Sequence, residues 1–212
     1  MVLSALMSIP MESVVAFLGH IVHPIEGQIS LFSAVTRAIP WHMALGYMGG
    51  FGVYYLWMYA KITNGTLTTV VFWRGIIVAI VMYWCGEIVP VHAGLWVYYD
   101  HQPLWIWHGS SPLTWSFLNT TCMVTGLTLM FLARPYLRGV AQILLVPFGV
   151  IGVIMGHVGA GLPMYTAMNT DWPDWVIELS GLLAVAFALL LSWLCGLLLL
   201  QPHQFREVPA TA

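Results

Sequence analysis

Apolar residues fall along this chain in long unbroken runs rather than in alternation or narrow stripes. Five runs reach the length of about 20 residues that a membrane-spanning helix needs: Trp41–Ala60, Leu67–Val89, Leu113–Ala133, Val140–Gly161 and Trp175–Leu200. A sixth, Leu3–Val22, carries Pro10 and Glu12 near its middle and Gly19-His20 near its end. It is expected to span, or to lie partly in the interface. The pattern predicts an all-α fold: a polytopic membrane helix bundle of five to six transmembrane helices, forming one integral membrane domain over residues 1–212.

Composition agrees. Of 212 residues 60% are hydrophobic and 7% charged, where a soluble domain carries roughly 25% charged residues. A net charge of −2 argues against nucleic acid as a partner. Cys85, Cys122 and Cys195 each sit in an apolar run at no zinc-site spacing, as small hydrophobes do. The start of the chain lacks the basic region of a cleavable signal peptide. Gly46, Gly49, Gly50 and Gly52, and Gly149, Gly152, Gly156, Gly159 and Gly161, are spaced for close helix–helix approach. Pro147 is expected to kink its helix. Leu182–Leu200 is nearly featureless and is expected to face lipid.

Basic residues orient the bundle. Lys61, Arg74, Arg134, Arg138 and Arg206 all fall at ends that one up-and-down order makes cytoplasmic, leaving only Arg37 opposite. Both termini are then cytoplasmic if six helices span. The other end gathers the chemistry: His20, His23, Glu26, His42, Glu87, His92, Asp100, His101, His108, His157, Asp171, Asp174 and Glu178.

Glu87 draws attention first. It ends an apolar helix one turn after Tyr83 and Trp84 and just before Pro90. An intramembrane acid is expensive and should face a cavity or a partner. A carboxyl group buried without a counter-charge favours its neutral form, and a neutral acid walled by aromatic faces can protonate an alkene or epoxide and stabilise the resulting cation. His92 is a candidate proton shuttle beyond Pro90. Asp174 and Glu178, one turn apart, are candidates for a second carboxylate, with Asp171 or Asp174 also suited to capping a helix that starts near Pro173. Trp96, Trp115, Asn119 and His157 complete a candidate binding wall with Tyr83 and Trp84. The connection Val91–Ser111, with Trp105 and Trp107 as interfacial anchors, is expected to lid a cavity bordered by Trp84 and Trp115 between the third, fourth and sixth helices. His20, His23 and His42 offer an alternative, a metal site, though no metalloprotease motif occurs.

The stretch Cys85-Gly86-Glu87-Ile88 to Gly94-Leu95-Trp96-Val97-Tyr98-Tyr99 resembles the helix-to-loop segment of sterol isomerase (emopamil-binding) proteins. The chain also resembles small integral membrane terpene cyclases in size, in a Trp-near-Glu element (Trp84, Glu87) and in a late second acid (Asp174 or Glu178), without their Asn-x-x-Trp-Glu pattern. Both resemblances imply a membrane enzyme that protonates an isoprenoid-derived or steroid-like lipid. The expected partners are a hydrophobic small molecule and membrane lipid, with no cofactor. A carrier for a lipid or ion is the other class considered. Oligomeric state is not encoded in any of these features.

Overall fold

The computed structural model describes residues 1–201; Arg206, used above for orientation, lies outside them. The chain is 70% helical with few strands. Among the described residues four helices are long and apolar enough to cross a membrane: Thr69–His92, Leu113–Tyr136, Gly139–Met168 and Asp174–Leu199. Each overlaps a run predicted from the sequence.

The first predicted run is not one helix. It divides into α1 (Val2–Met7) and α2 (Met11–Leu18). Pro10 has no N–H to give, and the bonds through the junction tighten to three-residue steps, with Ile9 N donating to Leu6 O (3.1 Å) and Met11 N to Ser8 O (3.0 Å). The second run forms one continuous rod: α3 (Trp41–Tyr47), a π turn (Met48–Gly52) and α4 (Val53–Thr63). It is long enough to span, but its Gly, Tyr and Trp dilute the apolar character, so it is not among the four.

Beyond it, α5 (Thr69–Gly86) starts on Thr68, whose hydroxyl accepts from Val71 N (3.2 Å), and passes directly into α6 (Ile88–His92). Next comes α7 (Leu113–Ala133). The following span begins as a 3-10 segment, Gly139–Leu144, and becomes α8 (Leu145–Ile154) just before Pro147. A π turn, Met155–Gly159, leads into α9 (Ala160–Met168), which extends past the predicted end at Gly161 and contains Pro163. The π turn lies where the Pro163 ring would otherwise meet the carbonyl four residues earlier. Last is α10 (Asp174–Leu199). Its N-cap is Pro173 and no side chain caps it, so Asp174 contributes only its charge in the first turn, and neither Asp171 nor Asp174 is a side-chain cap.

Helix α7 is the axis of the bundle, packed against α5, α8 and α10. Small residues let the neighbours approach. A Cβ on Gly152 would meet Gly126 Cα and Thr125 O at 2.6 Å, and Thr125 Oγ1 donates to Gly152 O at 2.6 Å. Gly149 and Gly156 lie equally tight, whereas Gly46, Gly49 and Gly159 have open space. The α10 run expected to face lipid does so on one side only. Gly181, Ala184, Ala188, Ser192, Cys195 and Leu199 recur at steps of three and four and are buried. Thr121 of α7 reaches across to Ser192 Oγ (3.0 Å) and Ala188 O (3.2 Å).

The loop-rich end adds strands that an all-α expectation did not include. β1 (Ile21–Val22) pairs antiparallel with β4 (Val97–Tyr98), and β2 (Ser30–Ala34) with β3 (Arg37–Pro40). The β2–β3 turn is Val35-Thr36, both at positive φ (50° and 59°), where hairpins usually place Asn-Gly. The residues that normally signal such a turn are missing, so the hairpin left no trace in the pattern.

Candidate active site

A cavity of about 390 Å³ lies under the loop-rich end, walled by α2, α3, α5, α7 and the connection after α6. This differs from the predicted place: the first and second helical segments form its walls and α10 does not. Two carboxyl groups line it. Glu87 enters from the end of α5 and Glu12 from the middle of α2. Each is held by a phenol: Tyr98 donates to Glu87 Oε2 (2.5 Å) and Tyr47 to Glu12 Oε2 (2.9 Å). His23 Nε2 lies 3.6 Å from the other oxygen of Glu12. Among the described residues no Lys or Arg lines the cavity. Phe51, Tyr83, Trp96 and Trp115 supply aromatic walls.

Tyr98 is the register partner of Ile21, so the β1–β4 pair sets the phenol over Glu87. Burial first, then the adjacent Glu87, push the Tyr98 hydroxyl well above its ordinary value, so it remains a donor. The loop is tied to α2 and α7 by Gln102, whose buried amide donates to Gly19 O and Tyr99 O (3.0 Å each) and accepts from Trp115 Nε1 (3.3 Å). Further out, His20 Nδ1 sits 3.2 Å from Asp100, and Arg37 binds the Tyr99 hydroxyl.

Asn119 lines the cavity from α7. His157 does not; it stands behind Asn119, with Nε2 3.2 Å from Asn119 Oδ1 and Nδ1 2.9 Å from the Tyr165 hydroxyl. If Tyr165 donates to Nδ1, the Nε2–H donates to the Asn119 oxygen, which turns the amide NH₂ toward the cavity. His157 positions Asn119 rather than lining the wall itself, and the π turn in its helix sets where it points.

Other predicted residues lie elsewhere. Trp84 packs edge-on to Trp107 and its carbonyl accepts from Ser110 Oγ (2.6 Å); it does not border the cavity. His92 is exposed and its Nδ1 donates to Ile88 O (2.8 Å). Glu178 accepts from Leu104 N (3.0 Å) and His101 Nε2 (2.9 Å). Leu104 has a positive φ of 56°, so Glu178 ties down a strained loop residue. Asp174 is exposed, 3.8 Å from the same histidine. These acids fasten the lid from outside and do not pair with Glu87. Of the three N-terminal histidines, His23 and His42 line the cavity and His20 does not, and among the described residues no three His, Cys, Asp or Glu side chains group to hold a metal.

Among the residues not foreseen at the site are Glu12, Tyr47, Phe51 and Tyr98. Glu12 carried the same signal as Glu87, an acid inside an apolar run.

Two ring nitrogens at the wall, His23 Nδ1 and His42 Nε2, are buried with no hydrogen-bond partner among the described residues. Burial, then His42 and Arg37, hold the His23 imidazole down at about 4. An unfolded histidine takes its proton near pH 6.5. Between these values the unfolded chain binds the extra proton, so stability is complete above about pH 6.5 and falls as pH drops toward 4, by up to roughly 3 kcal/mol. His23→Gln is expected to flatten this slope in thermal melts of the detergent-solubilised protein across pH 4–7; an unchanged slope assigns it to other groups.

No protein-family model, no curated protein and no solved structure matches the chain.

Proposed function

We propose that the protein is a membrane-embedded cyclase or isomerase that acts on an isoprenoid or steroid-like lipid by proton-initiated carbocation chemistry. The observation that carries this is two carboxyl groups, each bound by a phenol, in one aromatic-walled cavity that no described Lys or Arg lines. Glu87 is the acid. Its proton goes to an alkene carbon or an epoxide oxygen of the substrate, and the electron pair of a neighbouring double bond closes onto the carbon left electron-poor. Trp96, Trp115, Tyr83 and Phe51 offer π faces to that positive charge. Glu12, entering as carboxylate, removes a proton from the final cation. It replaces Asp174 and Glu178 in the role of second acid. Atoms balance as an isomerisation, and a proton passing from Glu12 back to Glu87 resets the pair. The unpaired nitrogens of His23 and His42 suit an oxygen function on the substrate.

In this reading the α3–α4 rod is a fifth crossing and the kinked α1–α2 pair a sixth, with Lys61, Arg74, Arg134 and Arg138 on the cytoplasmic side. Mapping the accessibility of introduced cysteines from the two sides of the membrane tests this.

The activity test feeds linear epoxy-isoprenoids and sterol-type olefins to membranes containing the unmodified protein or Glu87→Gln. Product is expected with the first and a fall of about 10²–10⁴ in rate with the second. Equal turnover in both removes Glu87 from the chemistry.

A further inference from the structure

A second chamber adjoins the first. About 640 Å³ of space lies between the α3–α4 rod and α5, lined by Gly49, Tyr54, Trp57, Val78 and Ala79 with Arg74 at its far end. Met82 and Tyr83 line both chambers, so the two lie side by side with these residues between them. The near chamber holds the carboxyl groups; the far one is mainly apolar, with the Tyr54 hydroxyl in its wall and Arg74 at its end. Glycine and the π turn keep the space open. A Cβ on Gly49 would meet nothing within 4 Å, and Gly50 is where the Tyr83 hydroxyl crosses the rod, 2.6 Å from the position of a Cβ. Gly49, Val78 and Met82 are exposed, which leaves the outer chamber a groove open along its side toward the hydrocarbon of the bilayer.

We infer that this outer chamber holds the hydrocarbon chain of a linear isoprenoid lipid whose reactive end lies between Glu12 and Glu87. The inference rests on the proposed chemistry for the identity of the reactive end, and on the shared walls for the path of the chain. From Glu87 to Arg74 the two chambers follow thirteen residues of α5, roughly 20 Å at the helical rise. That length suits an extended polyisoprenoid and exceeds what a compact fused-ring substrate fills. Of the two substrate classes above, the geometry therefore selects the linear one. Tyr83 stands where the chain passes from one chamber to the other, and its hydroxyl rests 3.5 Å from Met123 Sδ. Arg74, without a carboxylate partner among the described residues, ends the apolar stretch with a charge.

The test is photo-cross-linking in nanodiscs, with a diazirine at the tail end of a long polyprenol. The unmodified protein, Glu87→Gln, Gly49→Leu and Val78→Trp are compared. Labels are expected on Trp57, Val78 and Ala79 in the unmodified protein and in Glu87→Gln. Gly49→Leu and Val78→Trp, which fill the groove from its two sides, are expected to lower that labelling at least tenfold. Monodisperse elution of each variant shows that it has folded. Labelling unaffected by either variant, or matched by a diazirine phosphatidylcholine that the polyprenol does not displace, overturns the inference; the second result makes the chamber a bulk-lipid cleft. Groove labelling without any turnover supports the chain site and counts against the carbocation chemistry alone, so the two failures are distinguishable.

Discussion

Glu12→Gln is expected to stop the reaction as completely as Glu87→Gln, a loss of about 10²–10⁴ in rate, while the protein keeps its melting temperature to within a few degrees. The amide retains the acceptor that Tyr47 uses at 2.9 Å, so packing of α2 on α3 survives and only proton transfer is lost. The double variant Glu12→Gln/Glu87→Gln is expected to be no slower than the worse single variant, because groups that act as a unit are not additive. Multiplicative losses would mean the two acids act independently of each other, at separate sites. Asp174→Asn serves as the contrast. That acid is exposed outside the lid, and its replacement leaves turnover within about twofold, the scale of an exposed ion pair.

The largest expected effect on assembly is at Gly152. Gly152→Val puts a branched side chain where backbone atoms of α7 lie 2.6 Å from the Cβ position. Backbone cannot rotate away as a side chain can. The α7–α8 axes must separate, and Thr125 loses its 2.6 Å bond to Gly152 O. Overpacking alone costs about 1–3 kcal/mol, and in lipid close packing is itself the main cohesive force, so a loss of 3 kcal/mol or more is expected. Melting followed by size-exclusion in detergent reads it, with aggregation the extreme outcome. Gly159→Ala, in the same span but with open space around it, is expected to hold or gain stability through the better helix propensity of Ala. Similar melting of both variants would show that the α7–α8 contact is not close-packed.

The four long apolar helices were legible because burial in lipid demands long apolar runs whatever the tertiary contacts. Leu113–Ala133 is bounded in the structure where the pattern ends it, and Glu87 sits in a cavity as its cost in hydrocarbon suggests. Less legible were features that depend on what packs against what. Glu12 was obscured by Pro10, which left its segment open between spanning and lying in the interface, whereas the structure packs that segment into the bundle with the acid turned inward. Trp84 shares its helix with Tyr83 of the site but points to the lid, a difference of facing that no periodicity can reveal when a helix is apolar all round, and the whole helix of Glu178 stands away from the cavity. The α10 stripe from Gly181 to Leu199 was hidden because Leu and Ala read alike on a hydropathy scale, although only the small residue admits α7. Strands β1 and β4 are two residues each, too short to show alternation.

The short β1–β4 pair carries a mechanical consequence. Tyr98, the phenol on Glu87, is bonded through that ladder to the chain leaving α2, the helix that bears Glu12. Gln102 adds a second tie between the same two pieces. The cover and the floor of the chamber therefore move as one body. Lifting the cover to admit a molecule from the aqueous side would pull the supports from both acids at once and dismantle the centre. Traffic is left with the seam between α3 and α5, where exposed Gly46 and Gly86 flank the cavity. For the lipid substrate proposed above, supply would then be set by its mole fraction in the surrounding leaflet and not by its concentration in water, and diluting the bilayer with inert lipid would starve the site as surely as withholding the substrate.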